Sequence, residues 1–259
     1  MKKFYFLLLA VALLISGCGR IPAPEPTESP VRIPTEATAP TVAATLPTET
    51  IPATEPIPET EPATEPETEP VIPEDSDFVR VADFIPNLRV ELAYATQDNF
   101  TGSRIYDFTD AYLRYGTVKK LLTAAESLAE LGYGLVVWDA YRPVYAQERL
   151  WEICPDPAYV SPPGTGSQSH CRGKAVDVTL YSLASGEMLE MPTGFDDFSA
   201  MADRDYRDCT AEAAQNAAVL EEAMAAAGFK PYSAEWWHYT DTDSYGIEYE
   251  FDPAAIDSP

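Results

Sequence analysis

The chain has 259 residues, 46% of them hydrophobic, and a formal net charge of −25. Its 17 basic side chains stand against 42 acidic ones, which excludes the clustered Lys and Arg that nucleic-acid phosphates demand. The same balance excludes electrostatic docking on an anionic membrane, and the acidity by itself reads as solubility.

Lys2 and Lys3 precede an apolar run of twelve residues, Phe4 to Ile15. That run is short of the about 20 residues a membrane-spanning helix needs. Its layout predicts a secretory signal peptide over residues 1–17. The exit, Ile15-Ser16-Gly17-Cys18, resembles the bacterial lipobox, a signal cut before a cysteine that then carries lipid. Cys18 is therefore expected to be the lipidation site, the alternative being an ordinary signal peptide with an unrelated cysteine. Between Ile21 and Asp75 lie 14 of the 24 prolines and 11 glutamates, against a single Arg32. Such a composition buries too little apolar surface to fold. Residues 18–75 are expected to form a disordered, extended linker, roughly 170 Å long at most for its proline-rich part. The expected placement is the extracytoplasmic face of a bacterial membrane, held there by the lipid alone.

The remaining 184 residues, 76–259, suffice for one domain. Leu88 to Leu92 reads as a strand. Thr117 to Leu131 reads as a helix whose face is Val118, Leu121, Leu122, Ala125, Leu128 and Ala129, with Gly132 to end it. Gly134 to Trp138 is a buried strand. Pro143 suits the first turn of a helix that continues from Val144 to Ile153. Ala175 to Tyr181 is a second buried strand, and Thr210 to Ala227 a helix followed by Gly228. The mixture predicts an α+β fold, a small and mostly antiparallel sheet with helices packed on it. Besides Cys18 the cysteines are Cys154, Cys171 and Cys209. Three cannot all pair within one chain, and their spacing is not that of a zinc site.

The only two histidines, His170 and His238, fall in two polar segments, Ser167 to Asp177 and Glu235 to His238. Period-two alternation in the strand turns Asp177 away from Val176 and Val178. An acid in an otherwise apolar strand needs a partner, and a cation is one. Two histidines and one aspartate meet the three-ligand requirement of a hydrolytic zinc site, with one position left open. Glu235 precedes His238 by three residues, so a helical turn would let both share that site, with Glu235 as a proton carrier. Each pattern alone is weak; the chain's two histidines occupying both together is not. Trp236 and Trp237 read as core residues, one of them at least.

His170-x-x-Gly173-x-Ala175-x-Asp177 followed by Glu235-Trp236-Trp237-His238-Tyr239 resembles the signature of the zinc D-Ala-D-Ala dipeptidases of VanX type. Ala93 to Thr96 with Asp98 to Gly102, Trp138 to Pro143, and Gly194-Phe195-Asp196 are similar to further motifs of that family, in the same order. The resemblance spans roughly residues 78–251. It implies one zinc ion on His170, Asp177 and His238, with Glu235 as general base and then general acid. It implies that Arg142 donates to the developing oxyanion and that Asp196 holds the substrate's free ammonium. Tyr94 and Ser169 would line the pocket, and Asp139 would brace the loop of Arg142. The implied substrate is D-Ala-D-Ala or a related D,D-peptide. One departure is Gln168, where the family has serine; it bears on substrate preference more than on metal. Cys171, beside His170, is expected to be inert. The alternatives are a D,D-carboxypeptidase trimming peptidoglycan stem peptides and a non-catalytic binding module that keeps a structural metal.

Overall fold

A computed structural model describes residues 72–257. The expected leader, Cys18 and nearly all of the linker lie outside the described residues. Seven strands and four helices follow in the order β1 (Phe78–Arg80), β2 (Arg89–Val90), β3 (Tyr112–Arg114), α1 (Tyr115–Glu130), β4 (Tyr133–Asp139), α2 (Val144–Ile153), β5 (Ala175–Ser182), α3 (Ala211–Ala226), β6 (Phe229–Tyr232), β7 (Glu235–Asp241) and α4 (Pro253–Asp257). Five strands form the main sheet, in the order β2-β4-β5-β7-β6, while β1 and β3 pair separately. Only the β2–β4 pair is parallel. The expected α+β class and mostly antiparallel sheet are what the chain adopts.

The helices form where the apolar spacing puts them. In α1 the buried face is Val118, Leu121, Ala124 and Leu128, whereas Ala129 is exposed, so the stripe turns slightly from the expected one. Gly132, at φ +86°, lets the chain leave the helix. Thr210 caps α3, its hydroxyl accepting from the Ala213 N–H at 3.0 Å. These helices pack on each other and on the sheet. From β5, Val176, Val178 and Leu180 join the core that contains Leu121 of α1 and Leu220 of α3. The opposite face of β5 carries Asp177 and Thr179, and both are buried too. The strand at Leu88 to Leu92 is shorter than expected, only Arg89–Val90.

Two irregularities set which residues share a face. β4 bulges at Trp138, so Asp139 rather than Trp138 comes opposite Asp177. β7 pairs regularly with β5, placing His238 opposite Asp177, but against β6 its register slips between Tyr232↔Glu235 and Pro231↔Tyr239. Bulges re-aim side chains in this way, often beside active sites. Trp138 and Trp236 meet at 5.7 Å in an edge-on contact, and Trp236 and Trp237 are both buried.

Within the first polar segment, His170–Arg172 forms a single 3-10 turn closed by Gly173 at φ +68°. The ring of Phe78 sits against Gly173, and it also packs on Tyr141 at 4.5 Å and stacks on Phe251 at 4.3 Å. A Cβ on residue 173 would lie 2.7 Å from Phe78 Cζ and closer still to its Cε1. Gly173→Ala is expected to lower stability by about 2–4 kcal/mol, through left-handed strain plus overpacking. Urea unfolding measures this, and a loss within error of zero would show that the Phe78 ring moves freely.

Candidate metal and catalytic site

The site is built on a row across three strands. Asp139, Asp177 and His238 are successive cross-strand neighbours of β4, β5 and β7. His170 comes in from the 3-10 turn just before β5. One donor atom each from His170, Asp177 and His238 lies within 4.8 Å of the others. His238 Nδ1 is 2.9 Å from Asp177 Oδ1 and 3.2 Å from His170 Nε2, and His170 Nε2 is 3.5 Å from Asp177 Oδ2.

The outer nitrogens show which ring atoms face inward. His170 Nδ1 is 2.7 Å from the Ala140 carbonyl, an acceptor only, so Nδ1 carries the proton and Nε2 keeps its lone pair. His238 Nε2 bonds the Thr240 hydroxyl at 3.1 Å, which leaves Nδ1 as the inward atom. Two imidazole lone pairs and a carboxylate facing one another need a proton or a cation between them. Buried Asp177 has its pKa depressed despite the burial that opposes it, because His170 and His238 favour its charged form. This donor set, two imidazoles and a carboxylate held by outer hydrogen bonds, fits a divalent metal ion, which would take the place of ring protons.

Arg142 and Asp139 form the second part. The Arg142 Nη2 donates to Asp139 Oδ2 at 2.6 Å and its Nε does so at 3.2 Å, while Nη1 donates to Gln147 Oε1 at 2.8 Å. Gln147 in turn donates to the Ser161 carbonyl at 2.8 Å. Three of the five guanidinium N–H groups are thus engaged, leaving one on each terminal nitrogen. The other Asp139 oxygen accepts from the Tyr106 hydroxyl at 2.6 Å and the Ala140 N–H at 2.9 Å. Asp139 therefore braces Arg142, as the resemblance implied. Tyr106 and Gln147 were not foreseen: Tyr106 lies in no patterned segment, and Gln147 reads only as one residue of the helix from Val144 to Ile153.

A cavity of about 270 Å³ is lined by Tyr94, Arg142, Gln168, Ser169, His170, Asp177, Asp196, Glu235 and His238, among others. Every residue singled out in the head as catalytic, metal-binding or substrate-binding lines it. The helical turn expected for Glu235 to His238 is instead a strand. The slip against β6 makes the two residues neighbours, with Glu235 Oε2 4.0 Å from His238 Nδ1. Gln168 and Asp196 both hold left-handed backbones, at φ +43° and +54°. Asp196 accepts from the Tyr94 hydroxyl at 2.7 Å, and Phe195 packs against Tyr94, Trp138 and Trp237. Cys171 is buried and burial pushes its thiol up to about 11, so it is inert; Cys154, Cys171 and Cys209 are all unpaired.

Among the described residues around the cavity the charges do not balance. Asp177, Asp196 and Glu235 line the cavity with Asp139 beneath, and among the described residues Arg142 is the one always-charged cation on its wall. Burial raises the Glu235 carboxyl, although His238 opposes it. Burial also raises Asp196 to about 7, with Asp177 and Asp139 adding and Tyr94 and Arg142 opposing. So many acids around one cavity favour a cation there.

A family model described as D-ala-D-ala dipeptidase matches residues 74–253. A D-alanyl-D-alanine dipeptidase of Escherichia coli is 38% identical over 167 residues, covering 64% of this chain and 85% of the relative. Its counterpart in Streptomyces coelicolor is 36% identical over 187 residues, covering 63% and 91%. That of Enterococcus faecium is 32% identical over 189 residues, covering 64% and 92%.

The raised Asp196 carboxyl has a consequence for stability. A carboxyl whose pKa is higher folded than unfolded costs nothing below the unfolded value and more as pH rises through the folded one. In chelator-treated protein, Asp196→Asn should therefore lose less stability than the wild type between about pH 5 and about pH 8. Urea unfolding at the two pH values reads this directly. Parallel behaviour would mean that Asp196 is fully hydrated.

Proposed function

The chain belongs to the D-Ala-D-Ala dipeptidase family, and we propose that its head uses zinc on His170, Asp177 and His238 to hydrolyse free D-alanyl-D-alanine to D-alanine in cell-wall peptide metabolism. The observation that carries the proposal is the convergence of these three ligand atoms with Glu235, Arg142 and Asp196 around one small cavity.

Zinc bound there would polarise the scissile carbonyl and lower the pKa of water towards ~7. Two histidines and one carboxylate suit zinc among the common divalent ions. Glu235 Oε2 takes the proton of the attacking water and delivers it to the departing amine nitrogen. Its raised pKa brings it nearer the working pH, where proton carriers are most effective. The two free N–H groups of Arg142 hold the carbonyl oxygen as negative charge develops on it, and Asp139 keeps that fork in place beforehand. Asp196 receives the substrate's ammonium, with Tyr94 holding the carboxylate in position. Tyr94 and Ser169 shape the walls. An acylated amine would leave Asp196 unpaired in a partly desolvated place, which disfavours stem peptides and favours the free dipeptide.

The leader, the lipidated Cys18 and the linker complete the reading. They support a head tethered outside the cell membrane, where the accessible substrate is D-Ala-D-Ala released during wall turnover.

The purified full chain should release D-alanine from D-Ala-D-Ala, lose that activity to a chelator, and regain it with zinc. An N-acylated tripeptide ending in D-Ala-D-Ala should be a poor substrate; preferential release from it would make the enzyme a wall-trimming carboxypeptidase and remove the ammonium role of Asp196. Glu235→Ala should cut kcat by at least about 10²-fold while zinc content stays at the wild-type level. Unchanged turnover in that variant would refute Glu235 as the base.

A further inference from the structure

The hydrogen-bond ladder of the main sheet fails in the β6–β7 hairpin, which also carries Glu235 and His238. Between the pairs Tyr232↔Glu235 and Pro231↔Tyr239, β7 holds Trp236, Trp237 and His238 with no opposite residue on β6. Carbonyls stranded by such a slip need other donors. One side chain from outside the hairpin supplies them. Arg204, in the loop before α3, donates from Nε to the Tyr232 carbonyl at 2.7 Å and from Nη2 to the His238 carbonyl at 2.9 Å. A single planar guanidinium thus spans the slip from the last residue of β6 to the far end of the extra residues.

The guanidinium is itself fixed from behind. Its Nη1 reaches Glu221 Oε2 on α3 at 3.0 Å and the Tyr239 hydroxyl at 3.1 Å. Glu221 is held in turn by the Tyr206 hydroxyl at 2.7 Å. The Arg204 N–H donates to the Ser233 carbonyl at the hairpin turn, at 3.3 Å. Its side chain is 8% exposed. An arginine on the surface in a solvent-exposed ion pair would have neither this burial nor two backbone carbonyls as partners.

We infer that Arg204 is a positioning residue for the reaction: by tying the Tyr232 and His238 carbonyls together it holds Glu235 and His238 on one side of β7. The inference rests on the roles proposed above for those two residues. Lysine cannot substitute, because one ammonium on a flexible stem does not bridge two carbonyls and a carboxylate in a plane.

The test uses the full chain carrying Arg204→Lys or Arg204→Met, each compared with the wild type. The measurements are kcat and KM for D-Ala-D-Ala at saturating zinc, zinc affinity by chelator competition, and thermal melting. Both variants should melt cooperatively with KM little changed. In both, kcat and zinc affinity should each fall about 10–100-fold, the usual effect of removing a group that orients a metal ligand. A lower melting temperature with wild-type kcat and zinc affinity would make Arg204 a stabilising residue only and overturn the inference. If the methionine variant does not fold, the lysine variant decides on the same criteria. If the wild type releases no D-alanine, the proposed function fails. Weakened zinc binding in Arg204→Lys would still support the positioning role in that case, and unweakened binding would overturn it.

Discussion

Asp139 and Asp177 stand opposite one another on neighbouring strands, both shut off from water, and much of the head is arranged to keep these two like charges apart. Like charges directly opposite in a sheet repel, and a buried charge without a partner is costlier still. Each is answered separately. Asp139 receives Arg142, the Tyr106 hydroxyl and the Ala140 N–H. Asp177 receives the two imidazoles. The division of partners produces the division of labour, with an organic cation on one carboxylate and a metal-binding cluster on the other. His170 binds the halves together, because its Nδ1 and its carbonyl both engage the Ala140–Arg142 loop.

The two bulges make this arrangement possible in so small a sheet. Were β4 regular through Trp138, that residue and not Asp139 would stand opposite Asp177. A regular hairpin would likewise turn Glu235 and His238 to opposite faces, since residues three apart in a strand alternate. Tryptophans occupy both irregularities and fill the volume they open.

Much of this was legible in the sequence, for identifiable reasons. A chain with two histidines, each in a polar segment beside an acid, leaves few ways to build a metal cluster. Helical periodicity located α1 and α3 because one face of each is buried, and strict alternation in β5 turned Asp177 away from the apolar core. The spacing of Glu235 and His238 misled, since i,i+3 proximity suggests a helical turn, and only the pairing with β6 shows that a register slip achieves it. Tyr106, Gln147 and Arg204 were invisible for the same reason. Tyr106 and Arg204 act through partners 28 to 34 residues away, and Gln147, though five residues from Arg142, is aimed at it only by the turn into α2.

The stacked rings of Phe78 and Phe251 lie near the two limits of the described chain, so it enters and leaves the head at one place. Topologically the head is a ring left open at one point. A short linker joining the two limits would close it, and the chain could be reopened at the exposed turn of Ala184 and Ser185 without crossing the row of ligands. Because closure restricts the unfolded chain more than the folded one, such a ring would be entropically favoured to stay native. The order of the motifs along the sequence is then one of several that this architecture can accept.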